Sequence, residues 1–192
     1  MNARRKLPTL YLASQSPRRR EILADLGIPF KLRKSPYHET TSDVVGLVPN
    51  EQAARLAGLK AVHAATGLDE GIVIGADTIV VLDEHVLGKP RDRDDARRML
   101  EMLSGRTHRV ITGISLVDPK SGQTVTHAES TNVVFKQLSE REITDYIDTP
   151  EPYDKAGAYA VQGLASLFVE RIEGCYYNVV DAFDKQRRQP LD

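Results

Sequence analysis

The chain has 192 residues, with 26 Lys and Arg against 27 Asp and Glu and a formal net charge of −1. This length suggests one domain, at most two small lobes around a cleft, with enough chain to bury a core without disulfides or structural metal. Near-neutrality argues against wrapping nucleic acid or coating an acidic membrane through bulk charge, and 41% hydrophobic with 28% charged residues is a globular balance. The single cysteine, Cys175, can form no internal disulfide, which fits a reducing compartment, and with no base near it in sequence it reads as a buried, inert thiol. No apolar run approaches the roughly 18 residues of a membrane span. The basic, polar start from Met1 to Pro8 lacks the apolar stretch of a signal peptide. The expectation is a soluble cytoplasmic protein with neither membrane nor nucleic-acid polymer as partner.

In chain order, residues 10–13 read as a short strand. Ser16 as N-cap and Pro17 at the first helical position open a helix to Leu26, closed by Gly27. Residues 29–33 read as a second strand and 35–48 as a polar loop. A long helix is predicted over 49–65. The apolar, β-branched run 72–82 predicts a buried strand or strand pair, and Asp83-Glu84-His85 a hairpin tip. A helix over 92–103 follows, then a long hairpin from strands 107–117 and 123–135. Ser139 and Glu142 form a capping box for a helix to about Asp148. Residues 154–163 are a loop of small residues, 167–172 a last strand, and the chain turns polar beyond Val180. The predicted class is an α/β mixed sheet with flanking helices, one domain over 1–183 and a polar tail over 184–192.

Three features carry chemistry. Arg18, Arg19 and Arg20 crowd the first turn of a helix, where the macrodipole favours negative charge. Either an anion such as a phosphate sits there, held by backbone N–H groups and arginine forks, or this is a solvated face paired with Glu21 or Asp25. Asp77 interrupts the apolar run 72–82. It is either a turn residue between two short strands or a strand-end acid facing a cleft, paired with a cation or metal and available as a general base. Lys60 shares a helical stripe with Ala53, Leu56, Ala57 and Ala64, so it either snorkels at a rim or aims its ammonium into a cleft. Lys89, Lys155 and Gln162 are weak signals singly, but the lysines with the arginines make a cationic pocket for a polyphosphate. Glu39 is a candidate second carboxylate, beside Asp77, for Mg²⁺. The five histidines show no metal-ligand spacing, and there is no Walker A or G-x-G-x-x-G sequence.

The set Ala-Ser-Gln-Ser-Pro-Arg-Arg (13–19), Gly-Ala-Asp-Thr (75–78), Gly-Lys-Pro (88–90), Leu-Ser-Gly-Arg-Thr-His (103–108) and Asp-Lys-Ala-Gly-Ala-Tyr-Ala-Val-Gln-Gly (154–163) resembles the Maf family of nucleoside triphosphate pyrophosphatases, in order and over nearly the whole chain. The resemblance implies an elongated, two-lobed α/β fold with a central cleft, similar to the inosine triphosphatase fold. It implies hydrolysis of a nucleoside triphosphate to monophosphate and diphosphate with Mg²⁺ or Mn²⁺. The chain looks like the branch acting on dTTP and UTP. Asp77 falls on the proton-acceptor position, Arg18, Thr78 and Gln162 on specificity positions, and Ser14, Arg19, Glu39, Lys60, Lys89 and Lys155 on pocket-lining ones. The alternatives are a 7-methyl-GTP pyrophosphatase and a nucleotide-binding regulator of cell division, and a homodimer is left open. One departure is that Val179-Val180 continues into Asp181-Ala182-Phe183 where the family reads Gly-Leu-Pro-Leu and a terminal helix.

Overall fold

An eleven-residue strand, β3 (Ile72–Leu82), runs through a seven-stranded mixed sheet. Around it the chain forms β1 (Leu10–Leu12), α1 (Pro17–Asp25), β2 (Lys31–Leu32), α2 (Pro49–Ala65), β4 (His85–Leu87), α3 (Arg93–Leu103), β5 (Thr107–Val117), β6 (Thr124–Phe135), α4 (Glu140–Ile147), β7 (Val169–Glu173) and α5 (Tyr176–Asp181). The computed structural model describes residues 8–181, so the tail expected over 184–192 lies outside the described residues. The strand order is β2-β1-β3-β5-β6-β7, with β4 pairing β3. β1 runs parallel to β2 and β3, and every other pair is antiparallel.

Side chains alternate along β3, so Val73, Gly75, Asp77, Ile79 and Val81 share one face. Helix α2 covers that face, packing Ala61 and Ala64 with Val73 and Val117, and Ala53 with Ile79, Val81 and Ile111. Small residues on both sides let the helix lie close. A methyl group on Gly113 would stand 2.6 Å from the Ala54 nitrogen, and one on Gly75 would stand 2.7 Å from the Ala61 nitrogen. Both distances are inside van der Waals contact, so only glycine fits under α2 at these points.

The other face is covered at one end by α3, α4 and the short 3₁₀ turns between Pro152 and Phe168, which close over Val80, Leu82, Val110 and Val133. Within this cluster His108 accepts or donates at 2.6 Å to the Tyr159 hydroxyl, and its ring meets Phe135 edge-on. Burial pushes the His108 imidazole down to about 3, so it is neutral in the folded protein.

The structure corrects several expectations. β2 spans only 31–32, and the last strand begins at Val169 because Leu164–Phe168 coil into a 3₁₀ turn. Helix α5, where the sequence pattern predicts no helix, holds Val179 and Val180, which bury their side chains in the core. Cys175 is exposed rather than buried, because it lies in the turn that leads from β7 into α5. Asp77 stands in the middle of a continuous strand, which removes both the turn between two short strands and the strand-end placement.

Two outcomes follow from this packing. Gly113→Ala should lower urea stability by about 1–3 kcal/mol through overpacking, while Gly88→Ala, with open space around it, should stay within about 0.5 kcal/mol. Equal effects would show that α2 can lift without penalty. Because the His108 pKa is about 3 folded against a reference value of 6.5, the unfolded chain binds the extra proton between those values. Its contribution to stability is therefore complete above 6.5 and is lost as pH falls toward 3. His108→Gln should flatten the fall in stability between about pH 6.5 and 4.5 by roughly 1 kcal/mol per pH unit, and parallel curves for the two proteins would contradict it.

Candidate active site at the open edge of β3

On one edge β3 is paired continuously with β5 from Val73 to Val81. On the other edge β1 covers Ile72 to Ile74 and β4 covers Val80 to Leu82. Between them Gly75–Ile79 have no strand neighbour, and backbone groups there need other partners. Arg19 supplies one of them. Its Nη1 donates to the Ala76 carbonyl at 2.7 Å and to Ser14 Oγ at 3.2 Å, and its Nη2 donates to Thr78 Oγ1 at 3.1 Å.

The arginine is placed by the cap that starts its helix. Ser16 Oγ accepts from the Arg19 N–H at 3.4 Å, while Ser14 Oγ accepts from the Ser16 N–H at 3.1 Å. The Ser-x-Ser-Pro-Arg-Arg sequence thus builds helix start, hydroxyl and guanidinium as one unit facing the open edge.

Asp77 sits mid-gap on the α2 face and is 8% exposed. The close approach of α2 brings Lys60 onto it, and the ammonium pairs with Asp77 Oδ1. Glu39 Oε2 lies 3.4 Å from the same ammonium, on the solvent side. Asp77 Oδ2 carries no hydrogen bond among the described residues. A polar cavity of about 230 Å³ opens here, lined by Ser14, Gln15, Arg19, Ser35, Tyr37 and Lys60.

Thr78, next along the strand, points to the opposite face, where its hydroxyl meets that of Thr112 at 2.8 Å. A second cavity of about 230 Å³ lies on that side, lined by apolar residues such as Leu12, Ile22 and Ile74. Arg19 and Ala76 belong to both cavities.

The structure therefore brings together Ser14, Arg19, Glu39, Lys60, Asp77 and Thr78. Lys60 aims inward rather than snorkelling. Arg18 takes the plainer of its two readings, donating to Glu21 at 2.7 Å, though its Nε is buried without a partner among the described residues. Arg20 donates to the Ser16 and Gln15 carbonyls. Lys155 is buried and pairs with Asp154 in its own loop. Lys89 is exposed in a turn joined to that loop by the Gly157 N–H, which donates to the Gly88 carbonyl at 3.0 Å. Gln162 donates to the Tyr176 hydroxyl at 3.3 Å. Arg18, Lys89 and Gln162 make no hydrogen bond or ion pair to the Lys60–Asp77 group among the described residues.

Sequence reasoning missed Tyr37, Ser35 and Thr112. Tyr37 and Ser35 lie in an irregular loop whose docking carries no periodicity. Thr112 becomes relevant only through its register opposite Thr78.

No group of three or more His, Cys, Asp or Glu among the described residues could hold a metal. Mg²⁺ needs fewer, since it is usually bound through one or two carboxylates plus water and substrate phosphates. Asp77 and Glu39, converging on one cation, fit an ion that a phosphate helps to hold.

The chain belongs to the Maf family, since the model described as Maf-like protein matches residues 9–180. It is similar to the dTTP/UTP pyrophosphatase of Thermoanaerobacter sp. (strain X514), 51% identical over 172 residues covering 89% of this chain and 88% of that one. The dTTP/UTP pyrophosphatases of Pelotomaculum thermopropionicum (48% identical) and Clostridioides difficile (47% identical) also match over 89% of this chain, and over 88% and 87% of their own. Among the described residues no helix is long and apolar enough to cross a membrane.

Arg19→Met leaves the Ala76 carbonyl without its side-chain donor. It should lower stability by about 1–3 kcal/mol in urea, the usual effect of removing a charged hydrogen-bond donor from part-buried acceptors, before any ligand is added. An unchanged midpoint would mean that the open edge is satisfied without it.

Proposed function

We infer that this chain is a nucleoside triphosphate pyrophosphatase that hydrolyses dTTP and UTP to the monophosphate and diphosphate, acting on the cytoplasmic nucleotide pool. The observation that carries the reading is a nearly buried carboxylate, Asp77, held by Lys60 at the one stretch of β3 left open to a cavity. The names of relatives about half identical in sequence support the choice of substrate.

A triphosphate carries on the order of three to four negative charges, from one and a half to two on a terminal phosphate group and one on each of the others. Ser14 and Lys60 face the polar cavity and would contact its oxygens. By the family resemblance Arg18, Thr78 and Gln162 stand at specificity positions and Lys89 and Lys155 at pocket-lining ones; the charges of Arg18 and Lys89 suit the phosphates, and the polar groups of Thr78 and Gln162 suit a pyrimidine edge. Donors and acceptors on such side chains can discriminate bases more strongly than an apolar slot.

In the reaction a water oxygen forms a new bond to phosphorus as the bond to the departing diphosphate oxygen breaks. Asp77 Oδ2, the oxygen not engaged by Lys60, takes the proton of that water. Lys60 keeps the carboxylate oriented and offsets phosphate charge as it shifts toward the leaving group. Asp77 and Glu39 would hold a divalent cation, Mg²⁺ or Mn²⁺, which when bound neutralises phosphate charge and lowers the pKa of a coordinated water.

The deciding measurement is diphosphate release from a panel of dTTP, UTP, CTP and 7-methyl-GTP in the presence of Mg²⁺ or Mn²⁺. dTTP and UTP should turn over fastest. Asp77→Asn should slow them by about 10²–10⁴-fold while dTTP still binds. A wild-type rate for that variant removes the base assignment, preference for 7-methyl-GTP moves the chain to the other branch, and binding without turnover supports a regulator.

A further inference from the structure

The segment before α2 does not cross the site as a loose loop. It lies back along the helix and is fastened at successive points. Arg33 donates from Nε to the Ala64 carbonyl at 2.5 Å and from Nη2 to the Thr66 carbonyl at 2.8 Å. These carbonyls stand at the C-terminal end of α2, where a cation is favourable and the last acceptors lack intrahelical partners. Four residues on, the Tyr37 ring packs on His63, with centroids 5.1 Å apart. Two residues further, Glu39 reaches Lys60. Chain positions 33, 37 and 39 thus step back along α2 through 64–66, 63 and 60.

Tyr37 is the most elaborately held of these points. Its hydroxyl donates to Asp43 Oδ2 at 2.6 Å, and its backbone N–H donates to Ser35 Oγ at 3.3 Å. The same Asp43 oxygen accepts from the Thr40 N–H at 2.8 Å and from Thr40 Oγ1 at 2.6 Å. These bonds hold the Asp43 carboxyl below its usual range, so it is an ionised acceptor, while burial and then the Asp43 bond push the Tyr37 phenol up to about 12, so it remains a donor. Glu39 is exposed and belongs to no helix or strand, yet it lies between two residues, Tyr37 and Thr40, that are both tied to Asp43. The tyrosine also lines the polar cavity, beside Ser35 and Lys60.

We propose that Tyr37, clamped between His63 and Asp43, is a positioning residue that holds residues 33–43 as a strap along α2 and so fixes Glu39 on the solvent side of Lys60. This rests on the pyrophosphatase reading for its kinetic consequence, but the strap itself is a geometric statement. Without the clamp Glu39 has to be ordered when substrate binds, so the deficit falls on substrate capture rather than on the chemical step.

The test combines dTTP kinetics with amide hydrogen exchange on the full chain. Tyr37→Ala should raise KM for dTTP about tenfold with kcat changed less than threefold. Tyr37→Phe, which keeps the ring on His63 but loses the bond to Asp43, should give a rise in KM between those of the wild type and Tyr37→Ala. In a Glu39→Gln background, Tyr37→Ala should add no further rise in KM, because both changes remove the same placed carboxylate. Additive effects, or a loss confined to kcat, would overturn the proposal. In the exchange arm, the amides of Thr40 and Asp43 should exchange faster in Tyr37→Ala than in the wild type, with residues 53–57 of α2 unchanged. Unchanged exchange at Thr40 and Asp43 overturns the strap whatever the kinetics. If the wild type hydrolyses neither dTTP nor UTP, the functional inference fails and the exchange arm alone decides the strap.

Discussion

The close seating of α2 on the sheet is the constraint from which the site follows. Ala53, Ala57, Ala61 and Ala64 are at most 1% exposed, so the helix touches the sheet through methyl groups, and across from them stand Gly75 and Gly113. Dispersion and apolar burial over this contact stabilise the pair. The same geometry brings a lysine stem on α2 within reach of a carboxylate on β3. A buried acid without a partner is costly, and here the partner is delivered by packing of neighbouring small residues. An ion pair of this kind is a weak source of stability, because desolvation offsets much of its attraction. Its value lies in fixing where the two groups stand.

The second determinant is a gap in pairing. A strand bonded on both edges has its backbone amides and carbonyls engaged along its length. β3 loses one neighbour after Ile74 and gains the next at Val80. Asp77 is in that interval, and its neighbour Ala76 and its partner Lys60 line the polar cavity beside it. Arg19 holds one backbone carbonyl and one hydroxyl there with a single planar fork, a role that the point charge of lysine fills poorly. It also separates a polar cavity on the α2 side from an apolar one beyond it.

Much of the frame was readable in the residues because local rules and burial agreed. Helix α2 and strand β3 end where the apolar pattern and the flanking Pro49, Gly67 and Asp83 indicated. The capping box at Ser139 and Glu142 formed as read. The misread places are those where local signals were short or contradicted by packing. The six-residue α5 carries too little pattern to declare itself, and it is held by core contacts of Val179 and Val180. Residue type predicts a buried Cys175, but a turn exposes it. For the arginines, composition left an anion site and an ion-paired face equally open. The structure divided them, one arginine on Glu21, one on the β3 edge and one on the carbonyls at the start of its own helix.

By itself the amino-acid sequence determined the local devices, namely the serine cap with its arginines, the alanine stripe of α2 and an acid set in an apolar strand. Each is an interaction between residues close along the chain or a pattern with a regular period. The tertiary structure alone decided that Lys60, Glu39 and Asp77 meet, that Thr78 and Asp77 face opposite sides of the sheet, and that Tyr37 lies over α2. Those outcomes depend on strand register, on where pairing stops and on how near a helix can come, and such distances between residues remote in sequence are set only when the chain packs.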